Sequence, residues 1–138
     1  ALIELAGFAV MAVLTLVRMT VLADAVIYRQ NALMNANLFF LGCVLLIFGL
    51  FNAIFLGGFL KTAYKLGKYF VIFIAVCFVV IFLAEAAHHV PGLGALNAFG
   101  FDHIGLQLLT LLAGAAAFVA LTFLSYNKAC KDFERIDL

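Results

Sequence analysis

Apolar residues run through this chain in four long stretches, Ala1–Val17, Leu38–Leu60, Phe70–Ala87 and Ile104–Ser125. Between them lie shorter segments where charges, amides, glycine and the only proline collect. Each stretch is close to the ~20 apolar residues that a helix needs to cross the hydrocarbon core of a bilayer. Lipid offers the backbone no hydrogen-bond partner, so a span must satisfy its own peptide groups, which a helix does and a short open strand does not. The pattern therefore predicts an all-α, polytopic helical membrane protein with four transmembrane helices in a single domain covering residues 1–138.

Composition sharpens this picture. Hydrophobic residues make up 68% of the chain and charged residues 11%, and the mean hydropathy is +1.25. An ordinary soluble domain of this length could not hide so much apolar surface. The chain has no room for an independent soluble domain, so nucleotide-driven chemistry would belong to a partner. A formal net charge of +1 gives no sign of nucleic-acid binding. Cys43, Cys77 and Cys130 are far apart with no zinc-type spacing, which argues against a disulfide framework or a metal site. Ala1 is not a methionine and already stands inside an apolar run without a basic signal-peptide start, so residues upstream are expected.

Positive charge orients the spans. Lys61, Lys65 and Lys68 lie between the second and third, and Lys128, Lys131 and Arg135 follow the fourth. Two crossings separate the clusters, which places them on one side, and the positive-inside rule makes that side cytoplasmic. The expected location is the cell membrane, with the C-terminus in the cytoplasm. The opposite side receives Arg18–Asn37, which could form a short interfacial helix, and His88–His103, where Val90-Pro91-Gly92-Leu93-Gly94 breaks the chain.

Polar and small residues within the spans are the candidates for function. In the second span, Gly42, Gly49 and Asn52 form a small, weakly polar face opposite bulky phenylalanines, favouring close helix packing, with a substrate path as the alternative role. In the fourth, Ala113, Ala116/Ala117 and Ala120 beside Gly114 suggest a second packing stripe. Glu4 and Glu85 are carboxylates at or near membrane depth, and His88 and His89 follow Glu85 closely. A proton site is conceivable there, although interfacial anchoring and polar pairing are the simpler roles, and adjacent histidines point different ways on a helix. No nucleophile–base pair or phosphate-binding glycine loop is visible, which gives no support to an enzyme and implies no cofactor.

The course from the second span to Leu138 also carries a family resemblance. The basic connector Phe59-Leu60-Lys61-Thr62-Ala63-Tyr64-Lys65-Leu66-Gly67-Lys68 and the tail Ser125-Tyr126-Asn127-Lys128-Ala129-Cys130-Lys131-Asp132-Phe133-Glu134-Arg135-Ile136-Asp137-Leu138 resemble the C-terminal part of bacterial ABC-2-type permeases. That resemblance implies an exporter membrane subunit, paired with another permease chain and coupled to a separate cytoplasmic ABC ATPase. Permeases of this type commonly have more spans than are read here. The connector, with Lys61, Tyr64, Lys65 and Lys68, is then the candidate ATPase contact. A small four-helix protein of another class, either a proton-coupled transporter or an assembly subunit without a transport role, is the competing expectation.

Overall fold

The computed structural model describes residues 2–23, 25, 33–62, 66–87 and 89–133. It holds four helices long and apolar enough to cross a membrane, and no strand occurs among the described residues. We label them α1 (Leu2–Thr20), α2 (Leu38–Lys61), α3 (Leu66–Ala87) and α4 (Ile104–Phe133).

Two boundaries differ from those read from hydropathy by four residues or more, and α1 runs three residues past Val17 to Thr20. α3 begins at Leu66 because Gly67, Lys68 and Tyr69 continue the helix into the apolar run, and a lysine at a helix end can extend its charge toward the interface. α4 continues to Phe133, well past the end of its apolar stretch. The segment Tyr126–Asp132 contains neither proline nor glycine and carries two lysines and an alanine, so nothing in it stops a helix already nucleated.

α2 is the hub, packed against each of the other three helices. In its most apolar window 33% of residues are buried, against 11% in each of the others. α2 and α4 run parallel, their facing positions advancing together from Leu38 and Gln107 to Asn52 and Thr122. This crossing is close because it is built on glycine. A Cβ on Gly114 would overlap the Gly42 carbonyl, and one on Gly42 would lie 2.6 Å from the Thr110 carbonyl oxygen. Further along, a Cβ on Gly49 would come within 3.0 Å of the Phe118 Cα. Small residues thus let the two backbones meet, the usual route to helix association in lipid. Of the alanine stripe, Ala113, Ala116 and Ala120 are exposed and Ala117 is half-buried; Ala113 and Ala117 line a shallow groove with Gly42, Cys43 and Leu46 of α2, while Gly114 and Phe118 are the buried residues of α4's middle.

The α2–α3 contact uses bulk instead. Phe51 and Phe55 stack with centroids 5.0 Å apart, Phe73 meets Phe51 edge-on at 5.3 Å, and Phe70 meets Phe55 at 6.1 Å. These edge-to-face geometries are the ones the ring quadrupole favours. Near the end of α2, Gly58 leaves room for the Tyr69 ring, which a Cβ there would overlap.

The connection between α3 and α4 turns at Val90–Leu93, forms a short 3-10 helix at Gly94–Asn97 and enters α4 through His103. Gly92 has φ +92°, a conformation that favours glycine, and His103 has φ +52°. Of the interfacial helix expected within Arg18–Asn37, residues 24 and 26–32 fall outside the described residues; α1 itself continues to Thr20, residues 21–23 form a turn and residues 33–37 are not helical.

Candidate functional site

Two polar assemblies hold the helices, one at the end where α2 begins and one deep along α2. At the first, Asn37 caps α2: its Oδ1 accepts the Phe40 N–H at 3.1 Å. Its Nδ2 donates to the carbonyls of Leu96 and Ala98 at 2.9 and 3.1 Å. Beside it, Gln107 of α4 accepts the Leu38 N–H at 3.2 Å and donates to the carbonyls of Asp102 and Gly100 at 2.7 and 3.2 Å. Both side chains are 0% exposed. A first-turn N–H has no partner inside its own helix and a buried carbonyl left unpaired is costly, so these two amides supply partners to two first-turn N–H groups of α2 and to four loop carbonyls.

The same end gathers the neighbouring loops. Asn35 exchanges two hydrogen bonds with Asn97, donating its N–H to Oδ1 at 2.6 Å and its side-chain amide to the Asn97 carbonyl at 2.9 Å. Both carboxylate oxygens of Glu85 accept the Met34 N–H, at 3.2 and 3.1 Å. Arg18 of α1 places its guanidinium carbon 4.6 Å from the Phe99 ring centroid, a cation–π contact. Glu85 is therefore engaged with the connector ahead of α2, while His89 is exposed and His88 lies outside the described residues. No group of three or more His, Cys, Asp or Glu side chains that could hold a metal ion occurs among the described residues.

The deeper assembly centres on Asn52, which is 3% exposed. Its Nδ2 donates to Glu4 Oε2 of α1 at 3.1 Å and to Thr122 Oγ1 of α4 at 3.0 Å. One side chain thereby ties three helices together. Here α2 leaves α-helical geometry: Phe51–Leu56 forms a π-helical turn, in which the Gly57 N–H reaches back to the Asn52 carbonyl. Ser125 Oγ donates to that same carbonyl at 2.6 Å, so α4 supplies a second donor to the widened turn. Single π turns are often found at functional positions.

Glu4 was expected near the interface. Its partner Asn52 stands nine residues before Lys61, on the order of 13 Å along the helix axis at 1.5 Å per residue. The pairing draws the carboxylate inward from the basic end of α2. Among the described residues of this assembly, Glu4 is the ionisable group and Asn52 its amide donor. Such a set can hold a proton or fix helix register, and it offers no nucleophile–base pair.

Of the remaining sequence candidates, Gly42 and Gly49 lie in the α2–α4 crossing. Lys61 and Lys68 are exposed at the end of α2 and the start of α3, and Tyr64 and Lys65 fall outside the described residues. Sequence reading did not single out Asn37, Gln107, Thr122 or Ser125. Asn37 carries a usable signal, an asparagine directly before an apolar helical run. So does Gln107, a lone amide in an apolar window that must find a partner in lipid.

Fold and polar assemblies together define a multi-pass helical membrane protein. No family model, curated protein or solved structure matches the chain.

Proposed function

We propose that this chain is the membrane-spanning permease part of an ABC exporter, moving its substrate by alternating access driven by a separate cytoplasmic ATPase. The observation that carries the reading is the basic end of the helix assembly. α2 and α4 are parallel and α3 returns from α2, so Lys61, Lys68, Lys128 and Lys131 lie toward one end. By the positive-inside rule that end is cytoplasmic. α4 continues eight residues beyond Ser125, roughly 12 Å of helix. A basic helical projection rooted in a close-packed helix pair is suited to receive a push from a cytoplasmic motor. The resemblance of the connector and tail to ABC-2-type permeases supplies the class of motor. A second permease chain completes the assembly in this reading, and the present chain supplies path and coupling rather than chemistry.

The direct test is isolation of the tagged chain from its native membrane in mild detergent. An ATP-hydrolysing subunit is expected to copurify, and replacing Lys61, Lys65 and Lys68 together by Gln should weaken that association while leaving membrane insertion intact. Absence of any ATPase from the isolated assembly would count against the proposal.

A specific observation favours one competitor: Glu4 is held by Asn52 inside the helix assembly, a placement suited to proton coupling. Uptake in proteoliposomes driven by a proton gradient without ATP, and lost in Glu4→Gln, would select that reading.

A further inference from the structure

The two adjacent glycines near the end of α2 are not equivalent. A Cβ on Gly58 would overlap the Tyr69 ring, so packing demands glycine there. A Cβ on Gly57 would meet only the Ser125 Oγ at 3.5 Å and the Asn52 carbonyl oxygen at 3.6 Å, both ordinary contacts. Glycine is a poor helix residue, and nothing steric requires it at position 57 in this arrangement. Gly57 stands directly after the π turn at Phe51–Leu56, and its N–H bonds to the Asn52 carbonyl five residues back instead of four.

A π turn holds one residue more than the α turn it replaces, so its conversion to α geometry moves everything beyond it by one residue. That step is a rotation of about 100° and an advance of about 1.5 Å along the axis. The upstream side is fixed, because Gly42 and Gly49 lie in the crossing with α4 and the Asn52 amide is tied to Glu4 and Thr122. The movement therefore falls on Gly57–Lys61, whose last turn carries its own closing bond with it, from Thr62 Oγ1 to the Gly58 carbonyl at 2.9 Å. After the step, Gly57 takes the place of Gly58 beneath Tyr69, and the ring again meets a glycine. Leu56 takes the place of Gly57 and crowds the Ser125 hydroxyl off the Asn52 carbonyl, to which it donates at 2.6 Å in the observed register. That carbonyl keeps an ordinary α-helical partner in the Leu56 N–H.

We infer that α2 carries a one-residue register switch: the segment Gly57–Lys61 holds either the observed π register or an all-α register, and the Ser125 hydroxyl latches the first. The glycine pair serves both states, Gly58 in the latched register and Gly57 in the released one. In the unaltered chain at rest the latched register is the populated one. Release turns Lys61 about the α2 axis while the glycine crossing with α4 stays in place. The switch rests on helix geometry alone and stands whether or not an ATPase drives the protein.

The test places spin labels at the exposed positions Lys61 and Asn127 of the full chain in lipid nanodiscs, with Cys43, Cys77 and Cys130 replaced by alanine. With Ser125 present the pair should give one distance. Ser125→Ala removes the latch and should add a second population displaced by several Å, the size that a rotation of about 100° gives a group on the rim of a helix. Ser125→Thr keeps a hydroxyl and should keep the single distance. Adding Gly57→Ala to Ser125→Ala should abolish the second population, because the new methyl would strike the Tyr69 ring in the released register. A single unshifted distance in a helical, correctly inserted Ser125→Ala chain would overturn the proposal, and so would a second population that survives Gly57→Ala. A comparison in the chain with Ser125 intact tests the premise separately: Gly57→Ala should melt no earlier than the unaltered protein, and Gly58→Ala clearly earlier. Equal losses at the two glycines would contradict the switch.

Discussion

α2 meets its neighbours α4 and α3 in opposite ways. Toward α4 it presents glycine, and the backbones approach until a single methyl group at Gly114 would strike the Gly42 carbonyl. Toward α3 it presents phenylalanine, and the rings of Phe51, Phe55, Phe70 and Phe73 fill the space between helices kept further apart. The first contact is steric and fixed, because backbone atoms cannot change rotamer to make room. The second is made of side chains that can re-stack as the helices slide. Amides add to the contrast: Gln107 and Asn52 tie α2 to α4 at both ends of the glycine crossing. We therefore expect α2 and α4 to move as one rigid body, and in the exporter reading the phenylalanine seam is where α3 shifts against it.

Substitutions can break this contrast. The largest effect is expected at the crossing, where Gly114→Ala forces the backbones apart. Overpacking of this kind costs roughly 1–3 kcal/mol and more where backbone is the obstacle. Gly105→Ala, where nothing lies within 4 Å of the added methyl, is its control and should be close to neutral. Thermal unfolding in detergent compares the two, and equal stability would remove the glycine crossing as the determinant.

Next in size is Gln107→Leu, which leaves the Leu38 N–H and the carbonyls of Gly100 and Asp102 without the partner they share. A loss of about 1–3 kcal/mol is expected. Amide hydrogen exchange should quicken at Leu38 while Phe40, capped by Asn37, stays protected. The smallest effect belongs to the aromatic seam. Phe55→Leu keeps most of the apolar volume and loses the ring contacts with Phe51, Phe59 and Phe70, for about 0.5–1.5 kcal/mol by the same melting assay.

Much of this architecture was legible in the sequence, because hydropathy over a helix length is a sum of many small preferences that tertiary context rarely reverses. The four spans and the small face of α2 at Gly42 and Gly49 come from such local patterns. What could not be read depends on distant partners. Nothing near Asn52 says that its amide meets Glu4 and Thr122, residues 48 and 70 positions away. The π turn at Phe51–Leu56 coincides with that meeting and with the Ser125 bond to the Asn52 carbonyl, contacts that lie far off in sequence. The alanines of α4 looked as suitable for packing as Gly114, and only the crossing geometry shows that Gly114 meets the α2 backbone while Ala113 and Ala117 border the crossing and Ala116 and Ala120 are exposed.

The most direct measurement of the rigid-pair account is the distance distribution between spin labels at Lys61 and Tyr126, across α2 and α4, compared with labels at Lys61 and Val71, across α2 and α3. All three positions are exposed, and the native Cys43, Cys77 and Cys130 would be replaced by alanine. In lipid nanodiscs the α2–α4 pair should give a single narrow distribution and the α2–α3 pair a broader one. An α2–α4 distribution as broad as the α2–α3 one would contradict the account.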